Sequence, residues 1–440
     1  MRNMLRCRRG SAAFATVVAL VPLIGFVALG AEGGSWYVTK QRAQNAADSA
    51  AYSAGLWLAC SLAPSTCTAD SRSMDYRGKE FAAQNAFCNS GDGTSYPGQR
   101  CVTLASNTSQ TVTITPVGSD SVRATVTQTQ PAYLAKVLGL TTVTIGATAV
   151  AQVKILANPC VLTLSDPLAF QGSTTVQAQK CGLSSNSTQS NSLNFTGNGL
   201  DVSKAGAISG QGDCKDNGGG QCSKAITFAP PVPDPLSGLN SAMSTLKTSS
   251  FTGSSCNTTA QLTAYDATHK CYNNMGNGAN KFNFGNTTYD LNGVYFLNGS
   301  VTIGGSTVIK GTATLILMPG SSLTINGNPV IQLTALSTVT TAQVPAALAS
   351  VVGLMSNLLI YDPEKTTGNQ SVKISGSSDS FFSGITYAPN ADIVYQGSTV
   401  SSTCVEVIAK GVTLSGNSNF DNSGCSASSK IVSQYVRLVQ

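Results

Sequence analysis

Few residues of this chain could carry acid–base or metal chemistry, because its 440 residues include a single histidine, His269. One histidine excludes zinc sites built on two or three imidazoles, so a catalyst would have to use carboxylates or lysine. The run 213–218 (DCKDNG) is similar to a calcium loop in part, but Lys215 and Lys224 stand where oxygen ligands are needed. The isolated acids form no motif of paired carboxylates for glycoside hydrolysis. We therefore predict no catalytic residue, no metal site, no cofactor and no enzymatic activity.

The 13 cysteines are the other reactive side chains, and their spacing predicts disulfides. Cys7 precedes the first apolar segment, and the other twelve fall into neighbours, whose proximity alone suggests the pairing. No CxxC spacing occurs, so metal binding by thiolates is the weaker alternative. Such disulfides form in oxidising compartments outside the cytoplasm. The predicted pairs are Cys60 with Cys67, Cys88 with Cys101, Cys160 with Cys181, Cys214 with Cys222, Cys256 with Cys271, and Cys404 with Cys425.

An uncharged apolar segment near the N-terminus predicts a membrane-spanning helix. Residues 11–31 carry no charge and would extend about 31 Å as a helix, which is enough to cross the core of a bilayer. Four arginines precede this segment and Glu32 follows it, so residues 1–10 are predicted to be cytoplasmic and the rest to be exported. A cleavable signal peptide is the alternative, although the apolar core of such a peptide is usually shorter.

The charge of the remaining chain is low and balanced, which argues against a nucleic-acid partner. Charged residues make up 10% of the chain, and after the four N-terminal arginines there are 22 basic and 20 acidic residues. No arginine occurs between Arg123 and Arg437. Most of the chain therefore lacks the side chain that binds phosphate most effectively.

Residues 32–157 are predicted to form an α+β module with one long helix. From Ala43 to Ala54, six alanines lie at positions i, i+3, i+4, i+7, i+8 and i+11, which places them on one stripe of that helix. The stripe should pack on a sheet of the same chain, and packing against another subunit is the alternative. Residues 143–155 are apolar at every second position, which is typical of a strand with one buried face.

Residues 158–440 are predicted to form an all-β, parallel β-solenoid (β-helix-like) domain stapled by disulfides. Short apolar runs such as VLTL, VTI and TLILM alternate at close spacing with Gly, Asn and Ser. This pattern suits coils that stack on one another, while a β-sandwich, the alternative, usually has longer hairpins. The proline-rich excursion at 229–256 is predicted to be a linker or a loop over the surface.

Residues 44–51 of the N-terminal helix read QNAADSAA. Through this run the helix resembles that of the Flp pilus-assembly TadG-like proteins of the bacterial tight-adherence system. Later segments, such as PCVLTL at 159–164 and SGNSNF at 415–420, are loosely similar to members with a solenoid-like C-terminal region. The metal-binding run DxSxS that some members carry does not occur in this sequence. The residues that look like the QNAADAAA signature of the family are Gln44, Asn45, Ala46, Ala47, Asp48, Ala50 and Ala51.

The resemblance implies a single-pass structural component of pilus assembly, or of its secretion apparatus, in the bacterial inner membrane. Its bulk would then be periplasmic or extracellular. The partners it implies are inner-membrane lipid and other pilus-assembly or secretion subunits, among which the alanine-striped helix would be held. The alternative is a surface adhesin whose solenoid binds glycans or abiotic surfaces. A polysaccharide-active enzyme is a weaker third interpretation, because no pair of acidic residues can be named for it.

Overall fold

The computed structural model divides the protein into two compact units, which we describe separately. The first unit contains residues 1–154 and 434–440, and the second contains residues 155–433. The structure describes residues 8–62, 70–156, 158–253, 255–276, 282–363, 372–375, 379–396, 402–425 and 433–439.

The helices are α1 (Arg8–Leu62), α2 (Met74–Gln84) and α3 (Ser237–Met243), and 3-10 turns occupy Ala135–Leu138, Gln221–Lys224, Thr248–Ser250, Thr341–Gln343 and Ala346–Met355. The first eleven strands are β1 (Ser109–Val117), β2 (Ser121–Pro131), β3 (Thr142–Leu156), β4 (Pro159–Thr163), β5 (Leu168–Ala178), β6 (Gly182–Ser185), β7 (Leu193–Phe195), β8 (Asp201–Ala205), β9 (Ile208–Gly210), β10 (Cys214–Asp216) and β11 (Ala225–Ile226). The other eleven are β12 (Asn273–Asn274), β13 (Thr288–Asn298), β14 (Ser300–Ile303), β15 (Val308–Leu317), β16 (Ser322–Ile325), β17 (Val330–Thr334), β18 (Leu358–Tyr361), β19 (Val372–Ser375), β20 (Phe381–Gln396), β21 (Val405–Asn419) and β22 (Ser433–Val439).

In the first unit, α1 and α2 pack on one face of a four-stranded sheet with the order β1, β2, β3, β22. The first three strands are antiparallel neighbours, so that Val112 lies opposite Val126 and Val126 lies opposite Ala147. The period-two pattern predicted for the third strand is confirmed, since alternate residues from Ile145 to Val153 are buried. This face of the sheet and the helices form one apolar core.

Helix α1 is uninterrupted and carries the apolar segment directly into the first unit. Gly33 and Gly34, which could have allowed a bend, lie within the helix, and Pro22 does not end it. In the part of the chain that the structure describes, α1 is the one helix long and apolar enough to cross a membrane. Val17 and Phe26 of the apolar segment are 63% and 76% exposed, which suits contact with lipid rather than with a protein core.

The last strand of the chain belongs to the first unit, which differs from the predicted second domain of 158–440. β22 lies beside β3 in the four-stranded sheet, and the second unit ends at residue 433. Val436 packs against the helical core next to Gly55. Without β22, the backbone N–H and C=O groups along β3 would form an unpaired sheet edge, which gives the physical reason for the return of the chain.

In the second unit the described strand pairs run parallel. Many of the paired residues lie 20 to 25 positions apart in the chain: Thr288 pairs with Val308, Val308 with Val330, and Leu183 with Ile208. The residues that face inward from these strands form a continuous apolar core. Neighbouring strands therefore bury their inward-facing apolar side chains in one shared core.

The order of strands in the long sheet of the second unit does not follow the chain. The order is β12, β13, β15, β17, β20, β21, β4, β6, β9, β11. The two halves join where Val407 of β21 pairs with Val161 of β4, and Lys410 reinforces this junction through an ion pair of 2.6 Å with Asp166. As a result, the strands nearest to both ends of the unit are neighbours, while β11 and β12 lie at the two edges.

Residues 229–251, which we call the covering segment, pack on the outer side of this sheet. The predicted excursion at 229–256 is thus a packed layer of the unit. The Tyr387 hydroxyl donates to the Asp234 carboxylate at 2.8 Å, the Tyr361 hydroxyl donates to the Asn240 Oδ1 atom at 2.9 Å, and burial raises the pKa of Asp234. The buried apolar residues of the covering segment are Val232, Leu236, Leu239, Met243, Leu246 and Phe251.

Five of the predicted disulfides are present in the described residues. Cys60 is also disulfide-bonded, whereas Cys67 and Cys7 lie outside the described residues. Two of the bonds, both in the second unit, each join residues 21 positions apart. The five bonds are Cys88–Cys101, Cys160–Cys181, Cys214–Cys222, Cys256–Cys271 and Cys404–Cys425.

Candidate functional site

The alanine stripe of α1 is buried inside the first unit. It packs on the sheet against residues such as Val122, Ala124 and Ala149. The core-facing interpretation of the stripe therefore describes the folded unit, in which another subunit has no access to these alanines. The fully buried members of the stripe are Ala43, Ala46, Ala47, Ala50, Ala51 and Ala54.

The polar residues of the predicted signature lie along the border of the stripe. Gln44 and Asp48 are half-buried, and the Gln44 Nε2 atom donates to the Asp48 Oδ1 atom at 2.8 Å, one helical turn away. Asn45 is exposed. Of the seven signature residues, the four alanines serve the core and Asn45 alone has a mostly exposed side chain.

The side of α1 opposite the stripe is exposed and partly apolar. Val38, Gln41, Asn45, Tyr52 and Leu56 follow one another at helical spacing, and we call them the outer helix face. Val38, Tyr52 and Leu56 are 48%, 42% and 49% exposed. Apolar residues grouped on an exposed helix face are typical of a surface that contacts another protein. This face was not predicted from the sequence, although its residues occupy the positions between the alanines of the stripe.

Glu32 ties the start of the exported part of α1 to the loop between β2 and β3. Its carboxylate accepts hydrogen bonds from the backbone N–H groups of Tyr133 (2.7 Å), Leu134 (3.1 Å) and Ala135 (2.8 Å). Tyr133 and Leu134 precede the 3-10 turn Ala135–Leu138, and Ala135 begins it. Backbone N–H groups at the start of such a turn have no hydrogen-bond acceptor within the turn. A cavity of about 430 Å³ lies beside this contact, between α1, residues 103–108, and the end of β2 with the loop that follows it.

Asp216 stabilises a turn, and Asp290 forms an ion pair. Asp216, in the loop that is partly similar to a calcium site, accepts hydrogen bonds from the backbone N–H groups of Gly219, Gln221 and Cys222. Asp290 lies 3.4 Å from Lys310 in an exposed ion pair. Within the described ranges, no group of three or more His, Cys, Asp or Glu side chains could hold a metal ion.

Hydroxyl side chains repeat in register on the second unit, where Ser300, Thr302 and Thr324 are exposed and Ser322 is half-buried. Ser300 of β14 pairs with Ser322 of β16, and Thr302 pairs with Thr324. The alternate residues of both strands are buried, so these hydroxyl side chains share the outward face. They are the residues of this strand pair that a polar ligand could contact.

Comparison with known proteins gives matches in the first unit. Residues 10–59 match the TadE/G-like Flp pilus-assembly family, and residues 59–151 match the Tad-like Flp pilus-assembly family. No curated protein matches the chain, and no solved structure matches it. The matched residues include α1 with its alanine stripe, α2 and nearly all of the first three strands. Residues 10–151 are therefore similar to the TadE/G-like and Tad-like Flp pilus-assembly families.

Proposed function

We propose that this protein is a single-pass structural subunit of the Flp pilus-assembly system or of its secretion apparatus, held in the bacterial inner membrane by α1. Residues 1–10 would be cytoplasmic, and the second unit periplasmic or extracellular. The observation that carries the proposal is that one continuous helix joins the apolar segment to a folded unit of the pilus-assembly family. Such a helix transmits the position of its membrane anchor to the unit packed on it.

The outer helix face is the surface proposed to contact other pilus-assembly subunits. It is the exposed side of the helix that the family match covers, and Tyr52 and Leu56 provide its apolar area. Charges placed in such a contact would be desolvated without partners, which is strongly unfavourable. Charged side chains placed on the outer helix face should therefore disrupt the proposed contact.

Replacing Tyr52 and Leu56 together by Glu should abolish pilus assembly, counted on cells by electron microscopy, while the protein stays folded in the membrane fraction. Thr113→Glu is the matched control, because Thr113 is exposed on the other face of the sheet and lies outside the proposed contact. Normal piliation in the double variant would contradict the proposed contact.

The second unit is proposed to be a parallel β-solenoid that the anchor holds outside the membrane. Support comes from the parallel pairings at intervals of 20 to 25 residues and from the continuous core between successive turns. A β-sandwich of antiparallel sheets would instead require antiparallel strand pairs. In the described part of this unit, the antiparallel contact is the isolated bridge between Tyr265 and Val294.

The proposed role is structural and needs no cofactor or catalytic residue. The family match supports it, since the matched families are described by pilus assembly. Inner-membrane lipid is the proposed environment of the apolar part of α1. The arginine-free second unit does not favour a nucleic-acid partner.

A surface adhesin is the second candidate function, favoured by the in-register hydroxyl rows of Ser300 with Ser322 and Thr302 with Thr324. Repeated hydroxyl groups on a parallel sheet could hydrogen-bond a polysaccharide along its length. Binding of the detergent-solubilised full chain to a glycan array, lost when Thr302 and Thr324 are replaced by Val, would support this candidate. An array without any binding would count against it.

A further inference from the structure

We propose that the loop between β2 and β3 lies on the lipid surface next to α1, with its apolar side chains in the interfacial layer of the bilayer. The proposal rests on the membrane anchoring proposed above and adds a second contact with the same bilayer. The ligand class is the phospholipid itself, both headgroup and upper acyl chain.

The loop presents large apolar side chains to the outside within eight residues. Tyr133 is 70% exposed, Leu134 41% and Leu140 49%. Soluble surfaces rarely group such side chains unless they contact protein or membrane. Tyrosine is enriched at the membrane–water interface, because its ring is apolar and its hydroxyl is polar. The exposed Lys136 adds a positive charge that suits anionic headgroups.

The position of the loop along α1 favours lipid over other molecules as the partner of its apolar side chains. Glu32 accepts three backbone hydrogen bonds from Tyr133, Leu134 and Ala135, and it directly follows the apolar segment 11–31. One residue of helix rises about 1.5 Å, so the loop has no spacer between itself and the end of the membrane-spanning segment. If residues 11–31 fill the hydrocarbon core, the loop must lie at the headgroup level.

The cavity beside the loop extends from the loop toward the membrane-spanning segment of α1. Ala28 and Ala31 of the apolar segment form part of its wall, together with Trp36, Pro131 and Leu134. A wall that begins inside the spanning segment reaches below the headgroup level. Lipid acyl chains are therefore the molecules with direct access to the cavity of about 430 Å³.

The test uses the full chain with Trp36→Phe, reconstituted into vesicles of phosphatidylcholine and phosphatidylglycerol. Tyr133→Trp reports the loop, and Ser119→Trp is the matched control, since Ser119 is exposed in the turn between β1 and β2 at the far end of the second strand. The lipids are brominated either near the headgroup or near the chain ends. We expect the added fluorescence of the Tyr133→Trp variant to be quenched several-fold more by the shallow bromines than by the deep ones. The added fluorescence of the Ser119→Trp variant should be quenched by neither.

Unquenched fluorescence from position 133, in a Tyr133→Trp protein that floats with the vesicles, would overturn the lipid contact while leaving the anchor intact. Failure of the protein to float would reject the anchor and the loop contact together. Glu32→Ala should leave flotation unchanged and reduce the quenching at position 133, because Glu32 positions the loop. Unchanged quenching in that variant would reject the positioning role of Glu32. Pilus counts on cells report the subunit contacts separately from these measurements.

Discussion

At the scale of residues, small side chains determine how closely α1 approaches its neighbours in the first unit. A Cβ atom added to Gly55 would lie 2.8 Å from the Val436 Cγ1 atom and 2.9 Å from the Ala151 Cβ atom. A Cβ atom added to Gly78 of α2 would lie 2.5 Å from the Ile114 Cδ1 atom. Glycine is a poor helix former, so its presence in both helices is explained by these contact distances.

Replacement of Gly55 by Leu should destabilise the first unit by about 1–3 kcal/mol, because the added methylene groups find no room beside Val436. Gly33→Ala is the matched control on the same helix, since a Cβ atom there would meet nothing within 4 Å. Urea unfolding in detergent measures both variants. Equal unfolding midpoints for Gly55→Leu and the wild type would show that the helix and the sheet are not packed this closely.

Residue patterns that depend on near neighbours could be predicted from the sequence. The alanine stripe and the five bonded cysteine pairs are of this kind, because the alanines lie within one helix and the paired cysteines are at most 21 residues apart. The hydrogen bonds of Glu32 could not be predicted, since its partners at 133–135 are about 100 residues away. The sequence around a carboxylate does not indicate which distant backbone N–H groups will donate hydrogen bonds to it.

At the scale of elements, the strands of the second unit were predictable and their order was not. Short apolar runs between turn residues indicate strands by themselves. The neighbours of a strand depend on which turns stack, and consecutive strands are usually adjacent. That rule would have placed β11 beside β12, whereas these strands lie at the two edges and the covering segment connects the two edges.

Deletion of residues 308–329 tests the repeat, because it removes the 22 residues between one paired position and the next. The shortened chain should fold, since β17 can then pair with β13 in the register that β15 had. Deletion of residues 308–318 alone is the control and should unfold this half of the unit, because it shifts the register by half a turn. Limited proteolysis and circular dichroism compare the two. Equal loss of structure in both chains would argue against a repeating stack.

At the scale of the whole molecule, residues 155–433 are an insertion between two strands that are neighbours in one sheet, β3 and β22. A stack whose chain ran from one end to the other would have widely separated ends. In the observed order, β4 and β21 are adjacent, so both ends of the inserted unit emerge at one place in its sheet. The permuted order thereby makes this strand-rich unit compatible with insertion at a single point of the chain.

A chain that stops after residue 432 should have a destabilised first unit and a folded second unit. The truncation removes β22, exposes the edge of β3 and removes Val436 from beside Gly55. Hydrogen exchange followed by mass spectrometry should show faster exchange in the first three strands and unchanged exchange from β4 to β21. A chain that lacks Gln440 alone is the control. Unchanged exchange in β3 after the longer truncation would contradict the completion of the sheet by the last strand.

The proposal that α1 joins this protein to the pilus-assembly apparatus is tested most directly by photocrosslinking in living cells. A benzophenone amino acid at position 52, on the outer helix face, should form a covalent adduct with another subunit of the Flp pilus-assembly system, identified by mass spectrometry. The same amino acid at position 113 should form none, because Thr113 is exposed on the other face of the sheet. Adducts from position 52 that contain no protein of this system, or identical adducts from both positions, would contradict the proposed assembly role.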